Sequence, residues 1–134
     1  MRYVHGTLSF GINYCGGDNL VGYSDVEWAG CIDTRRSTSG YCFILGRGLI
    51  SWKSQKQRIT SSSSIEAEYK AHLDATSEAL WIQQILSHFG CSTSTSTTLF
   101  LDSQSAIALA KNPIVCGRSK HIDVHFHFVR DYIA

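Results

Sequence analysis

Residues 20–30 read LVGYSDVEWAG, and the reading of this stretch decides the fold. Leu20, Val21, Tyr23 and Val26 are strand formers, yet Asp25 lies inside their run rather than beyond its end. A carboxylate buried there without a partner would be destabilising by several kcal/mol, on the scale of charges moved out of water. A metal ion, a basic group or solvent in a cleft must therefore meet Asp25, unless it simply faces water near a frayed strand end.

Working outward, Leu8, Phe10, Ile12 and Tyr14 of LSFGINY alternate as a half-buried strand would, and Gly16, Gly17 and Asp18 then make a turn. After Asp25 comes the polar loop CIDTRRSTSG. Residues 41–45 and 49–52 read as two strands joined through Gly46-Arg47-Gly48, a hairpin signal because glycine tolerates positive φ. Three consecutive antiparallel strands are the economical arrangement. From Ser63 the period changes. Ser63 with Glu66 three residues on is a capping-box signature, and the helix it opens runs to about Phe89, with Gly90 as the stop. At 100° per residue Glu68, Ala71, Ala75, Ala79, Ile82 and Leu86 share one face, and its alanines allow close approach to a sheet.

The polar linker STSTSTT precedes TLFLD, a short apolar strand ending in Asp102, and SQSAIALAKNP, a helix stopped by Asn112-Pro113. Strand, helix and strand in that order imply a parallel pairing through a right-handed crossover. Ligands of such sheets bind beyond the carboxyl ends of the parallel strands, where Asp102 sits. The final HIDVHFHFVRDYIA fits helical spacing through Ile122, Phe126 and Val129, and period-2 alternation through HFHF.

The 134 residues fit one domain, and 43% hydrophobic with 17% charged residues describes a globular chain. A net charge of +1 advertises no partner, although basic residues cluster locally, as at Lys53, Lys56 and Arg58. Five widely spaced cysteines without a C-x-x-C pair argue against a disulfide framework. No stretch approaches the roughly 20 apolar residues of a membrane span, so no membrane is expected and the cytoplasm or nucleus is the expected compartment.

Asp25, Glu68 and Asp102 thus come from three elements, each placed near the same sheet edge. Each has a local alternative use: Glu68 complements a helix dipole and Asp102 caps a helix. Together, converging acids repel unless protonated or bridged by cations, and an all-oxygen set favours Mg2+ or Mn2+ over zinc. Two such ions suit in-line attack on a phosphodiester, which is nuclease or phosphotransfer chemistry. A zinc module is the competing reading, from Cys116, His121, His125 and His127, but their spacing matches no strong zinc pattern. There is no G-x-S-x-G nucleophile elbow and no phosphate-binding G-x-x-x-x-G-K loop.

YSDVEWAG, RRSTSGYCFILG, ISWKSQKQ, SSSIEAEYKA, LDSQSAIALAKNP and KHIDVHFHFVR, in that order, resemble the ribonuclease H domain of copia-type (Pseudoviridae) LTR retrotransposon polyproteins. The resemblance covers nearly the whole chain. It implies an α/β, ribonuclease H-like fold over 18–134, a mixed β-sheet of three antiparallel strands plus a parallel strand, flanked by helices. Residues 1–17 resemble the tail of the preceding reverse transcriptase region. The implied activity is metal-dependent hydrolysis of the RNA strand of RNA/DNA hybrids during reverse transcription, with Mg2+ or Mn2+ as two ions. Asp25, Glu68 and Asp102 match the family's metal-binding acids, while Ser103 and Gln104 would touch the hybrid and Lys53, Lys56 and Arg58 its phosphates. The family chain continues past HFVR into a strand and an A-D-I/L-x-T-K motif with a fourth acid. This chain stops at Ala134, so the C-terminal strand and helix are expected to be missing, with Asp123 the possible substitute acid. The alternative expectation is a truncated remnant, weak or inactive, that keeps the fold and nucleic-acid binding. In a polyprotein the reverse transcriptase domain would be a partner.

Overall fold

The computed structural model describes residues 2–58, 60–91, 96–102 and 107. The elements in chain order are α1 (Arg2–Gly6), β1 (Leu20–Glu27), β2 (Thr38–Leu45), β3 (Gly48–Lys56), α2 (Ser64–His88) and β4 (Thr98–Leu101). One four-stranded sheet has the order β3-β2-β1-β4. β1–β2 and β2–β3 pair antiparallel, and β4 returns to pair parallel with β1. The chain is therefore α/β with a mixed sheet, three strands antiparallel and one parallel.

Gly46 takes φ 61° at the first central position of the two-residue β2–β3 turn, the geometry that glycine adopts without strain. The expected strand over 8–14 is not formed: Leu8, Phe10, Ile12 and Tyr14 are all exposed and carry no ladder. Alternation alone does not make a strand where no sheet edge takes it up. This segment is held instead by its end, where Cys15 O and Asn19 O accept from the hairpin amides of Arg47 and Gly46. Tyr14 also donates from its hydroxyl to Leu49 O at 3.1 Å.

α2 covers one face of the sheet. Leu20 and Phe43 from the strands meet Ala79, Ile82 and Leu86 from the helix in the core, with Tyr41, Leu45 and Leu99 packed around them. Each large aliphatic side chain buried there contributes about 1.5–3 kcal/mol. Gly22 makes this packing possible, because a Cβ at that position would lie 2.5 Å from the Phe43 ring and 2.7 Å from Leu99 Cδ1. The C-terminal half of α2 thus lies over Leu20 at the start of β1. Its N-terminal half reaches over the carboxyl end of the same strand.

Two polar clamps fix the helix. Glu78 accepts from Tyr41 OH at 3.1 Å and from Ser51 Oγ at 2.6 Å, joining α2 to β2 and β3. Burial, then the charge of Glu78, pushes the Tyr41 phenol up to about 12, so it remains a donor. Buried Gln57 donates from Nε2 to Ser39 Oγ at 2.7 Å and to Ala67 O at 2.9 Å, and its Oε1 accepts from Ser61 Oγ at 2.9 Å. The expected cap is present in altered form. Ser63 Oγ accepts from Glu66 N, but the Glu66 carboxylate reaches Ser62 N and Oγ, both at 2.7 Å, rather than Ser63. Of the expected helix after Asp102, Ile107 is helical, and the remaining positions lie outside the described residues, as does the final segment.

Candidate functional site

Parallel pairing decides where the acids meet. β1 and β4 run in register from Val21 opposite Thr98 to Ser24 opposite Leu101. The next residues are Asp25 and Asp102, so the two acids are cross-strand neighbours at the carboxyl end of the only parallel pair among the described strands. Strands lie about 4.8 Å apart, so the two carboxylates stand side by side at this strand end.

Strand alternation separates the two faces at this end. Leu20, Gly22 and Ser24 are buried toward α2, whereas Tyr23 and Asp25 are exposed on the other side. Asp25 Oδ1 accepts from Val26 N at 2.7 Å. Asp25 and Asp102 both line an open groove whose apolar walls include Tyr23, Trp52 and Phe100, with the Tyr23 and Phe100 rings stacked at 5.2 Å.

Glu68 stands in the second turn of α2, over the α2 side of the same strand end. It is half-buried, and its Oε2 is a buried atom without a hydrogen-bond partner. One turn further on, His72 is 4% exposed, and both its ring nitrogens are likewise unpartnered. Burial pushes the imidazole below its ordinary value, while the negative charges of Glu68 and Asp102 pull it up; burial prevails. Ser24 Oγ, on the strand face toward α2, is a further buried orphan. So many unsatisfied polar atoms near one strand end are unusual in a native fold.

Among the described residues no three His, Cys, Asp or Glu side chains converge closely enough to enclose a metal ion by themselves. Asp102 is the shared member, lining the groove with Asp25 and acting on His72 together with Glu68. Sequence reasoning did not single out His72. The available signal was its position four residues after Glu68, on the same helical face.

The expected basic contacts are differently engaged. Lys53 lies 3.8 Å from Asp74 and over the Tyr41 ring, and Lys56 donates to Cys31 Sγ at 3.0 Å. Arg58 is exposed. Hydrogen bonds from Lys56, then Thr34, hold the Cys31 thiol down at about 6, against an ordinary value of 9.0. Ser103, Gln104, Asp123 and the Cys116, His121, His125 and His127 set lie outside the described residues. No described helix is long and apolar enough to cross a membrane.

Over 99% of its length the chain is 38% identical to the Retrovirus-related Pol polyprotein from transposon TNT 1-94 of Nicotiana tabacum. It is equally similar, again over 99% of its length, to the Retrovirus-related Pol polyprotein from transposon RE2 of Arabidopsis thaliana. The chain spans only about a tenth of these relatives, 10% and 9% of their lengths. It is also 49% identical over 61% of its length to Secreted RxLR effector protein 161 of Plasmopara viticola, covering 59% of that protein. No family model and no solved structure matches. The full-length relatives are copia-type retrotransposon Pol polyproteins, which supports a retroelement-related function and fits a polyprotein context.

Proposed function

We propose that the chain is a ribonuclease H-like domain of a retrotransposon polyprotein, a metal-dependent endonuclease that hydrolyses the RNA strand of RNA/DNA hybrids. The observation that carries this reading is the parallel register, which makes Asp25 and Asp102 neighbours at the end of β1 and β4. Glu68 supports it from α2, over the same strand end. The six ordered sequence blocks and the Pol polyprotein relatives point the same way.

The chemistry of the acids suits hard divalent cations: Asp25 and Asp102 end paired strands, and Glu68 Oε2 is a buried oxygen without a hydrogen-bond partner. Such ions are commonly held by one or two carboxylates, with water and substrate phosphate oxygens completing the shell, so three converging side chains are not required. When bound, Mg2+ or Mn2+ supplies an activated water and stabilises the leaving oxygen of the phosphodiester. The protein's part is to hold Asp25 and Asp102 on paired strands and Glu68 on α2, and to orient the hybrid. Arg58 is exposed for phosphate contact, and Ser103 and Gln104 follow Asp102 directly in sequence. Hybrid would be read by shape and 2′-hydroxyls rather than by base sequence, with binding that weakens steeply as salt rises.

A second reading, a catalytically weak domain that keeps hybrid binding, is favoured by the side-chain geometry: Asp25 alternates to the face away from α2 and Glu68. One experiment separates the two. The purified chain is given labelled RNA/DNA hybrid with Mg2+ or Mn2+, beside an Asp102→Asn control. Cleavage of the RNA strand alone, abolished in the control, supports the nuclease; binding without cleavage by folded protein supports the second reading.

A further inference from the structure

We propose that Arg36 and Arg58 clamp one backbone phosphate of the bound hybrid between them, a few nucleotides from the acids. The inference rests on the hybrid-binding part of the reading above. It adds a phosphate site, and a residue, Arg36, from the segment between β1 and β2.

The register carries the argument. β2 and β3 pair with Ser39 opposite Gln55 and Thr38 opposite Lys56. The same register continues past the last ladder pair: Gln57 N donates to Ser37 O at 2.8 Å, and Thr60 Oγ1 donates to Thr34 O at 3.4 Å. Arg36 and Arg58 are therefore opposite one another, between those two contacts. Ser37 and Gln57 are buried, Gln57 toward α2 through its bond to Ala67 O, while the arginines beside them are exposed. Alternation thus puts the pair on the other face of the sheet, the face that carries Asp25.

Like charges directly opposite on antiparallel strands repel, and an anion between them removes the penalty. Among the described residues neither guanidinium has an ion-pair partner; the ion pairs join Lys53 to Asp74 and Lys70 to Glu66. The other charged groups nearby are engaged elsewhere or unpaired. Lys56 donates to Cys31 Sγ, Glu27 in the Lys56 row has its carboxylate against Gly30, and Asp33 is exposed in the same loop. Two guanidinium forks on facing positions suit the several oxygens of a phosphodiester, which each can meet in bidentate fashion. Asp25 stands opposite Gly40, four residues along from Arg36. At about 3.3 Å per residue the clamp is roughly 13 Å along the sheet from the row of acids. That is too far for the phosphate being cleaved and within reach of the same bound duplex, so the pair positions the hybrid.

The test is fluorescence anisotropy of a labelled RNA/DNA hybrid with the purified chain, without added divalent ion. Wild type is compared with Arg36→Met, Arg58→Met, the double variant and Arg47→Met. Arg47 is exposed in the β2–β3 turn, at the opposite end of the sheet, and controls for overall charge. Each clamp variant should weaken binding about tenfold. The double variant should lose less than the sum of the two, and its slope of log affinity against log salt should fall by about one, as expected for a single shared phosphate. Arg47→Met should change neither quantity. Melting curves of the free clamp variants should not fall, because each relieves the repulsion across the pair. Wild-type affinity and slope in the double variant overturn the inference, as does a loss confined to one arginine, a fully additive double loss, or an equal loss in Arg47→Met. In each of these cases hybrid cleavage by wild type with Mg2+ or Mn2+ leaves the nuclease reading standing. A wild type that neither binds nor cleaves hybrid refutes both.

Discussion

Replacing Gln57 by Met tests the clamp that fixes the start of α2. Methionine keeps much of the side-chain length and bulk while removing both the amide donor and the acceptor, so the loss is one of hydrogen bonds rather than of packing. Three side-chain bonds disappear, to Ser39 Oγ, to Ala67 O and from Ser61 Oγ. At about 1 kcal/mol net each, the change destabilises by about 3 kcal/mol. The outcomes at the partners differ. Ala67 O keeps its place in the helical ladder, and Ser61 keeps the contact from Lys70 at 3.3 Å, whereas buried Ser39 loses its donor. That orphaned hydroxyl takes the total toward about 4 kcal/mol. For a domain of this size the melting temperature should fall by roughly 10–15 °C. Urea unfolding followed by circular dichroism, with a melting curve beside it, gives the number. A loss below about 1 kcal/mol with an unchanged m-value would refute the claim that this glutamine ties α2 to the sheet.

Glu66 carries a pH signature. Partial burial pushes its carboxyl up, but Lys70 and the hydroxyl and amide of Ser62 outweigh that and hold it at about 2, against an ordinary 4.5. A lowered folded value means that the stabilisation is complete above about pH 4.5 and is lost as pH falls toward 2, so Glu66→Gln should flatten the stability profile in that window and leave its slope near neutrality unchanged. Gly22→Ala pushes a methyl group into the Phe43 ring and Leu99, and should destabilise by about 1–3 kcal/mol in denaturant titrations. Alkylation of Cys31, followed by peptide mass spectrometry, should titrate near pH 6, and Lys56→Met should move that midpoint upward; an unshifted midpoint would show that the lysine does not hold the thiolate.

The strands and α2 were legible in the sequence because local signals agreed with their surroundings. Gly46 marked the hairpin, and the alanine stripe of α2 announced a helix lying close on a sheet. Residues 8–14 misled because alternation reports only what a strand could bury, and whether a sheet edge accepts it is decided elsewhere. For the site, the spacing of TLFLD after a long helix was enough to expect β4 parallel and Asp102 at its carboxyl end. The cross-strand register that brings Asp102 beside Asp25 needed three dimensions. His72 was missed because a histidine on an apolar helical face reads as core; only the lack of any partner for its nitrogens distinguishes it. The Glu78 clamp and the Gln57–Ser39 bond join positions 18–37 residues apart and leave no trace in local pattern.

β1 lies between a strand adjacent in sequence and a strand some seventy residues further on. That arrangement has a kinetic consequence. The β1–β2–β3 meander closes short loops and can assemble early, whereas β4 must wait until the long helix has crossed the sheet. Asp25 therefore spends the first part of folding without its acidic neighbour, and the two charges are brought together only in the last step. Any ion that bridges them acts on that step, speeding or holding the docking of β4 while leaving the meander untouched. Hydrogen-exchange pulse labelling during refolding, with and without Mn2+, should find the amides of 38–56 protected first and those of 98–101 last, with the ion altering only the latter.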